Sequence, residues 1–214
     1  MVTTADIAKL RAATGAGMMD CKNALDEAAG DIEKASEILR KKGIVKAAKK
    51  ADRVASEGMV ASYIHGPGRI GVLAEVNCET DFVALTDGFK DFVKEICLHI
   101  SAANPLYVSR EEVPVELVEK EKEIYAEQLK TQGKPANIIE NILKGKLDKF
   151  FEEICLLEQV YIKDDSKKIQ QLLTEKTAEI GEKISIRRFV RYELGEGIVK
   201  QTKNFADEVA AQLK

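Results

Sequence analysis

The hydrophobic period of this chain changes near Glu57-Gly58, and that change constrains the fold more than any other feature. Before it, apolar residues recur at helical spacing. After it, Met59-Val60-Ala61-Ser62-Tyr63-Ile64-His65 and Arg69-Ile70-Gly71-Val72-Leu73-Ala74-Glu75-Val76 follow a period of two. Gly66-Pro67-Gly68 between these runs predicts an antiparallel hairpin. The expectation is an α+β chain: a helical N-terminal module, then a core with a small antiparallel sheet flanked by helices.

The N-terminal part reads as three short helices. Thr4 is placed to cap the first, which carries Ile7 and Leu10, and Gly15-Ala16-Gly17 breaks it. The second aligns Cys21, Ala24, Leu25 and Ala28. Asp31 caps the third, which buries Ile32, Ala35, Ile38 and Leu39 and ends at Gly43. Residues 1–43 thus form one domain. Residues 44–57 are expected to form a basic, partly helical, solvated linker, since Lys and Arg dominate residues 41–53 and little there is apolar enough for a core; an anchor for an acidic partner is the alternative.

The core is expected over residues 58–196. After Thr86-Asp87-Gly88 a helix sets Phe89, Phe92, Val93, Ile96 and Ile100 on one face. From about 114 to 157 the pattern predicts a protruding antiparallel helical hairpin broken at Gly133-Lys134-Pro135. In it Val115, Val118 and Leu129 face Ile138, Ile142, Leu147 and Phe150. Val160-Tyr161-Ile162 is a short strand, and a helix with Ile169, Leu172, Leu173 and Ile180 follows. Ile184, Ile186, Val190, Tyr192 and Leu194 then alternate along a strand interrupted only at Arg188. Residues 197–214 end the chain in an amphipathic helix with Phe205, Ala206, Val209 and Leu213.

Several functional classes are disfavoured on composition. Lys and Arg number 33 against 36 Asp and Glu, a formal charge of −3, so no global positive field drives the chain onto nucleic acid or anionic lipid. No apolar run approaches the ~18 residues of a membrane span. Met1-Val2-Thr3-Thr4-Ala5-Asp6 lacks the charged and apolar regions of a signal peptide, so the expected setting is the cytoplasm. Cys21, Cys78, Cys97 and Cys155 are widely spaced and read as reduced, small apolar residues. Cys97 and His99 fall on different helix faces, which disfavours a shared metal. The expectation is no metal and no cofactor.

Gly66-Pro67-Gly68-Arg69-Ile70-Gly71 matches G-x-G-x-x-G literally, but a strand follows it where a dinucleotide fingerprint needs a helix N-terminus. It is a hairpin turn. No G-x-x-x-x-G-K-[S/T] loop exists either. His65 at the hairpin tip has no partnered carboxylate or nucleophile, so it reads as a solvated turn residue or a surface contact rather than a catalyst. Asn77-Cys78-Glu79-Thr80-Asp81-Phe82-Val83 is the informative segment, because it lies on a short connection between strand and helix. Thr80 can cap a helical turn with Phe82 packed inward. Alternatively, Phe82 stands exposed beside a carboxylate, a shape suited to wedging into a partner. Periodicity leaves both open.

Thr14-Gly15-Ala16-Gly17-Met18-Met19-Asp20-Cys21-Lys22, Lys46-Ala47-Ala48-Lys49-Lys50-Ala51, Val76-Asn77-Cys78-Glu79-Thr80-Asp81-Phe82-Val83 and Ile180-Gly181-Glu182 occur in that order. With Ile186-Arg187-Arg188-Phe189 and Gly195-Glu196-Gly197-Ile198, they resemble the bacterial translation elongation factor Ts family over nearly the whole chain. The resemblance implies a ubiquitin-associated-like N-terminal domain, a linker, and a core with a helical hairpin. It implies no enzyme of bond chemistry but a guanine-nucleotide exchange factor for elongation factor Tu. The segment matching Thr80, Asp81, Phe82 and Val83 would enter the partner's nucleotide domain, with Phe82 as wedge and Asp81 disturbing the magnesium site. Met18, Met19, Ile180, Gly181, His65 and Gly66 match further partner contacts.

Two other classes are open to the same residues. A ubiquitin-like-binding or scaffold protein would use the three-helix domain alone and leave residues 80–83 without a role. An RNA-associated ribosomal factor would use the basic run, which is short and lacks interleaved aromatics. The longest family members carry two related core subdomains and this chain carries one obvious hairpin-plus-helix unit. A homodimer is therefore expected, one protomer offering Phe82 and the other His65. A monomer whose residues 160–194 complete the sheet is the alternative.

Overall fold

The computed structural model describes residues 2–131 and 136–198. Thr3, not Thr4, caps the first helix, α1 (Thr4–Thr14): its hydroxyl accepts the Asp6 N–H, and the Asp6 carboxylate accepts the Thr3 N–H in return. Helix α2 spans Met18–Glu27 and α3 spans Ile32–Ala48, the latter capped by Asp31 as expected through the Glu33 and Lys34 N–H groups. Leu10, Cys21, Ala24, Leu25, Ala28 and Ala35 form a small core of their own.

Helix α3 does not end at Gly43. A Cβ at Gly43 would lie 3.2 Å from the Ala178 Cβ, so this glycine lets α3 approach a core helix closely and run on to Ala48. The linker's first third is thus the end of α3.

The hairpin pairs β1 (Glu57–His65) with β2 (Ile70–Cys78), from Glu57 opposite Cys78 to His65 opposite Ile70. One-turn helix α4 (Asp81–Ala84) leads to α5 (Asp87–Ala103), which buries Phe89, Phe92, Val93, Ile96 and Ile100 against the sheet. Helices α6 (Val115–Thr131) and α7 (Ala136–Ile154) pack together as the expected helical hairpin. Leu129 is buried there, whereas Val115 is exposed. The Gly133-Lys134-Pro135 break, the Ile138 side chain and the helix with Phe205, Ala206, Val209 and Leu213 lie outside the described residues. Arg110 anchors the hairpin's base, donating to Asp148 at 2.9 Å and to Glu158, with its guanidinium 4.5 Å from the Phe151 ring centroid.

Beyond the hairpin, β3 (Val160–Tyr161) pairs with β4 (Asp164–Lys168), a polar strand with no apolar alternation to reveal it. Helix α8 (Ile169–Ile180) turns Ile169 and Leu173 into the core and Ala178 toward α3. Strand β5 (Ser185–Glu193) then adds antiparallel to β2, giving the order β1-β2-β5.

The alternation expected along β5 fails at a bulge. Val76 pairs with Ile186 but Glu75 pairs with Arg188, so Arg187 is the extra residue and the phase reverses beyond it. Phe189 and Arg191, opposite Ala74 and Val72, turn inward, while Val190, Tyr192 and Leu194 turn out. The bulge aims two successive arginines at one carboxylate: Arg187 and Arg188 each reach Glu75 at 2.7 Å. Val60 and Ile64 of β1, Leu73 of β2 and Val190 and Tyr192 of β5 therefore make an exposed apolar face opposite α5.

Candidate functional site

The β2–α4 connection is built from the end of a buried strand. Val76, Asn77 and Cys78 are buried, and the Cys78 thiol donates to the Thr80 carbonyl at 3.1 Å. Burial, then the nearby Glu182 carboxylate, pushes this thiol's pKa up, the opposite of what a reactive cysteine needs. Thr80 has an extended backbone and its hydroxyl accepts the Val83 N–H at 3.4 Å, so it caps α4. Val83 packs on the core. Phe82 does not: it is 79% exposed, which settles the two readings in favour of a cap with an outward aromatic. Asp81 and Leu85 are exposed beside it.

A second loop holds this one. Helix α8 ends at Gly181 in the left-handed region, φ 83°, a conformation glycine adopts without strain. The turn aims Glu182 at the β2–α4 connection. Its carboxylate accepts the N–H of Glu79 at 3.1 Å, the N–H of Thr80 at 3.0 Å and the Thr80 hydroxyl at 2.7 Å. In return, the Glu79 carboxylate accepts the Lys183 N–H at 2.6 Å and an Arg53 guanidinium N–H at 3.2 Å. The Lys183 N–H, and then Arg53, hold the Glu79 carboxyl below its ordinary pKa. The linker is tied to the same point: Lys183 donates its ammonium to the Arg53 carbonyl at 2.8 Å, and Lys50 donates to the Gly181 carbonyl.

The fold thus brings Ile180 and Gly181 together with residues 80–83. Gly15 of the α1–α2 turn lies against Glu179, so the turn leading to exposed Met18 and Met19 reaches the same end of α8. His65 and Gly66 are elsewhere. The nine residues of β1 rise ~3.3 Å each, placing the tip roughly 26 Å from the Thr80 end. There His65 is exposed, with its Nδ1 3.0 Å from the Tyr63 hydroxyl.

Glu182, Glu79 and Arg53 escaped the sequence reading as site residues. Glu182 stands 102 residues from Thr80, and no periodicity links them.

A cleft of 740 Å³ between α3, the α1–α2 turn and α8 is lined by Lys46, Lys167 and Lys176. Asp20, Glu175 and Glu179 pair with these lysines at 2.8, 2.7 and 2.7 Å. Among the described residues no group of three or more His, Cys, Asp or Glu side chains gathers as a metal site, and no helix is long and apolar enough to cross a membrane. The arrangement presents an exposed aromatic and an exposed carboxylate on a clamped turn.

A family model described as Elongation factor TS matches residues 3–196. The protein named Elongation factor Ts from Carboxydothermus hydrogenoformans is 60% identical over 214 residues, covering 100% of this chain and 99% of its own. That of Geobacter metallireducens is 61% identical over 210 residues, 98% of this chain and 97% of its own. That of Caldanaerobacter subterraneus subsp. tengcongensis is 62% identical over 200 residues, 94% of this chain and 100% of its own.

Proposed function

The chain belongs to the elongation factor Ts family, and we propose on that premise that it is a guanine-nucleotide exchange factor. It promotes GDP release from elongation factor Tu during translation elongation, in the cytoplasm, by binding and without catalysing a bond change. Such a factor must bind the nucleotide-free partner better than the GDP-bound one, since equal affinity for both states would shift nothing.

The observation that carries this reading is Phe82, 79% exposed on a turn fastened at its root. A large apolar ring held in water by a capped turn, with Asp81 beside it, is suited to insertion between helices of the partner's nucleotide domain. Asp81 then disturbs the magnesium site, and losing the ion's charge weakens the hold on the β-phosphate. Thr80 and Val83 position the pair, one as cap and one as core anchor. Met18, Met19, Ile180 and Gly181 dock near the same end, and His65 and Gly66 form a separate contact at the hairpin tip.

The domain plan that goes with this reading is a ubiquitin-associated-like domain over residues 1–43, a linker over 44–57 whose first residues, to Ala48, continue α3, the core over 58–196 and a C-terminal helical module over 197–214. The chain is a homodimer through the apolar outer face of its sheet, so that Phe82 of one protomer and His65 of the other serve one partner molecule. No nucleic acid and no membrane takes part.

Release of fluorescent GDP from elongation factor Tu tests the proposal. Phe82→Ala should fold normally yet slow release at least about tenfold, the equivalent of ~1.4 kcal/mol. Wild-type rates in that variant would sink the wedge. A salt-sensitive RNA shift without any exchange would favour a ribosomal role instead.

A further inference from the structure

We propose that Glu182 is a positioning residue for the exchange wedge, acting through Thr80. The inference rests on the wedge role given to Phe82 above. A four-residue helix has no stability of its own, since nucleating one turn fixes several dihedrals for one hydrogen bond. Its geometry must come from outside. Phe82 contributes nothing to that, because its ring is out in solvent. The Glu182 carboxylate supplies three bonds, and all three end on the two residues immediately before Asp81. One of them reaches further: the Thr80 hydroxyl that donates to Glu182 also accepts the Val83 N–H, so Glu182 orients the cap that starts α4. The reciprocal grip of Glu79 on the Lys183 N–H closes the two loops on each other, and Arg53 ties the basic linker to the pair.

Charge-assisted bonds of this kind are about twice as strong as neutral ones. Glu182 is half-buried and lies outside the hydrophobic core. Its removal therefore leaves the fold in place and releases the turn. The basic run between α3 and β1 also gains a role: two of its cations, Lys50 and Arg53, are spent inside the chain at the wedge's root.

The test measures GDP release from elongation factor Tu against factor concentration, for Glu182→Ala, Glu182→Gln, Phe82→Ala and the Glu182→Ala/Phe82→Ala pair. For Glu182→Ala the maximal rate should fall about tenfold with half-saturation moved less than about twofold, within the ~100-fold that a ~1 Å misplacement can cost. Glu182→Gln keeps the shape and one acceptor oxygen and should lose about threefold. In the Phe82→Ala background Glu182→Ala should add less than about twofold, because residues acting as one unit are non-additive. Circular dichroism melts accompany each variant, and Glu182→Gln carries the test alone if Glu182→Ala does not fold. Wild-type maximal rates in the Glu182 variants overturn the proposal, as does a full additional loss in the Phe82→Ala background. If Phe82→Ala itself exchanges at the wild-type rate, the wedge reading falls, and the positioning role with it; that failure is visible in the single variant.

Discussion

Two carboxylates fasten separate parts of the chain, one within the sheet and one at the candidate site. Glu75 takes Arg187 and Arg188 across the bulge, and Glu79 takes the Lys183 N–H and Arg53 at the root of the wedge. Hydrogen bonds from these partners hold both carboxyls below their ordinary value of 4.5. A carboxyl whose pKa is lower folded than unfolded stabilises the fold above its unfolded value and loses that contribution as pH falls through its folded value. Stability should therefore decline as pH drops below about 4.5. Urea midpoints between about pH 6 and about pH 2 measure this, and Glu75→Gln should flatten the profile. A midpoint that rises on acidification would contradict the assignment. Phe82 contributes little to that ledger, and its removal should appear in exchange rate alone.

Among the elements, the hairpin is the frame on which both ends of the proposed contact surface are hung. Its start depends on Gly58, which sits at φ 135°, where a Cβ would lie 2.2 Å from the Val76 carbonyl oxygen. No rotamer relieves a clash with backbone on the neighbouring strand, and the conformation is itself one that only glycine adopts cheaply. Gly58→Ala should destabilise the chain by at least ~2 kcal/mol, read from chemical denaturation. It should also slow GDP exchange, because Gly58 pairs with Asn77, three residues before Thr80. An unchanged denaturation midpoint would mean that β1 can shift without cost.

For the whole molecule, the unfinished feature is the outer face of the three-stranded sheet. Residues 160–194 do complete the sheet to the extent that β5 pairs with β2, yet this adds exposed Val190 and Tyr192 to Leu73 and Ile64. Exposed apolar side chains grouped on one sheet face invite a partner, and the proposed dimer would cover them with a two-fold copy of the same face. Light scattering at micromolar concentration should give about twice 23.7 kDa. Replacing outward Leu73 and Tyr192 together by lysine should bring the mass back to 23.7 kDa without unfolding the chain. A wild-type mass of 23.7 kDa would refute the dimer.

The sequence by itself determined those elements whose signal is carried by neighbours along the chain. Backbone geometry converts local spacing directly into a buried face, so the α5 stripe, the hairpin around Gly66-Pro67-Gly68 and the Asp31 cap were all legible. The position of residues 80–83 on a short connection was legible too, and the roles proposed for them came from family resemblance. The tertiary structure alone decided the rest. It turned Phe82 outward because Val83 took the core contact, and it carried α3 past Gly43, where the missing Cβ eases a close approach to Ala178. It reversed the phase of β5 at Arg187, where two arginines converge on Glu75, so alternation read from sequence put Val190 and Tyr192 on the wrong face. It also set Glu182 on Thr80 across 102 residues of chain. Such contacts depend on where separate elements come to rest against each other, and no local period encodes that.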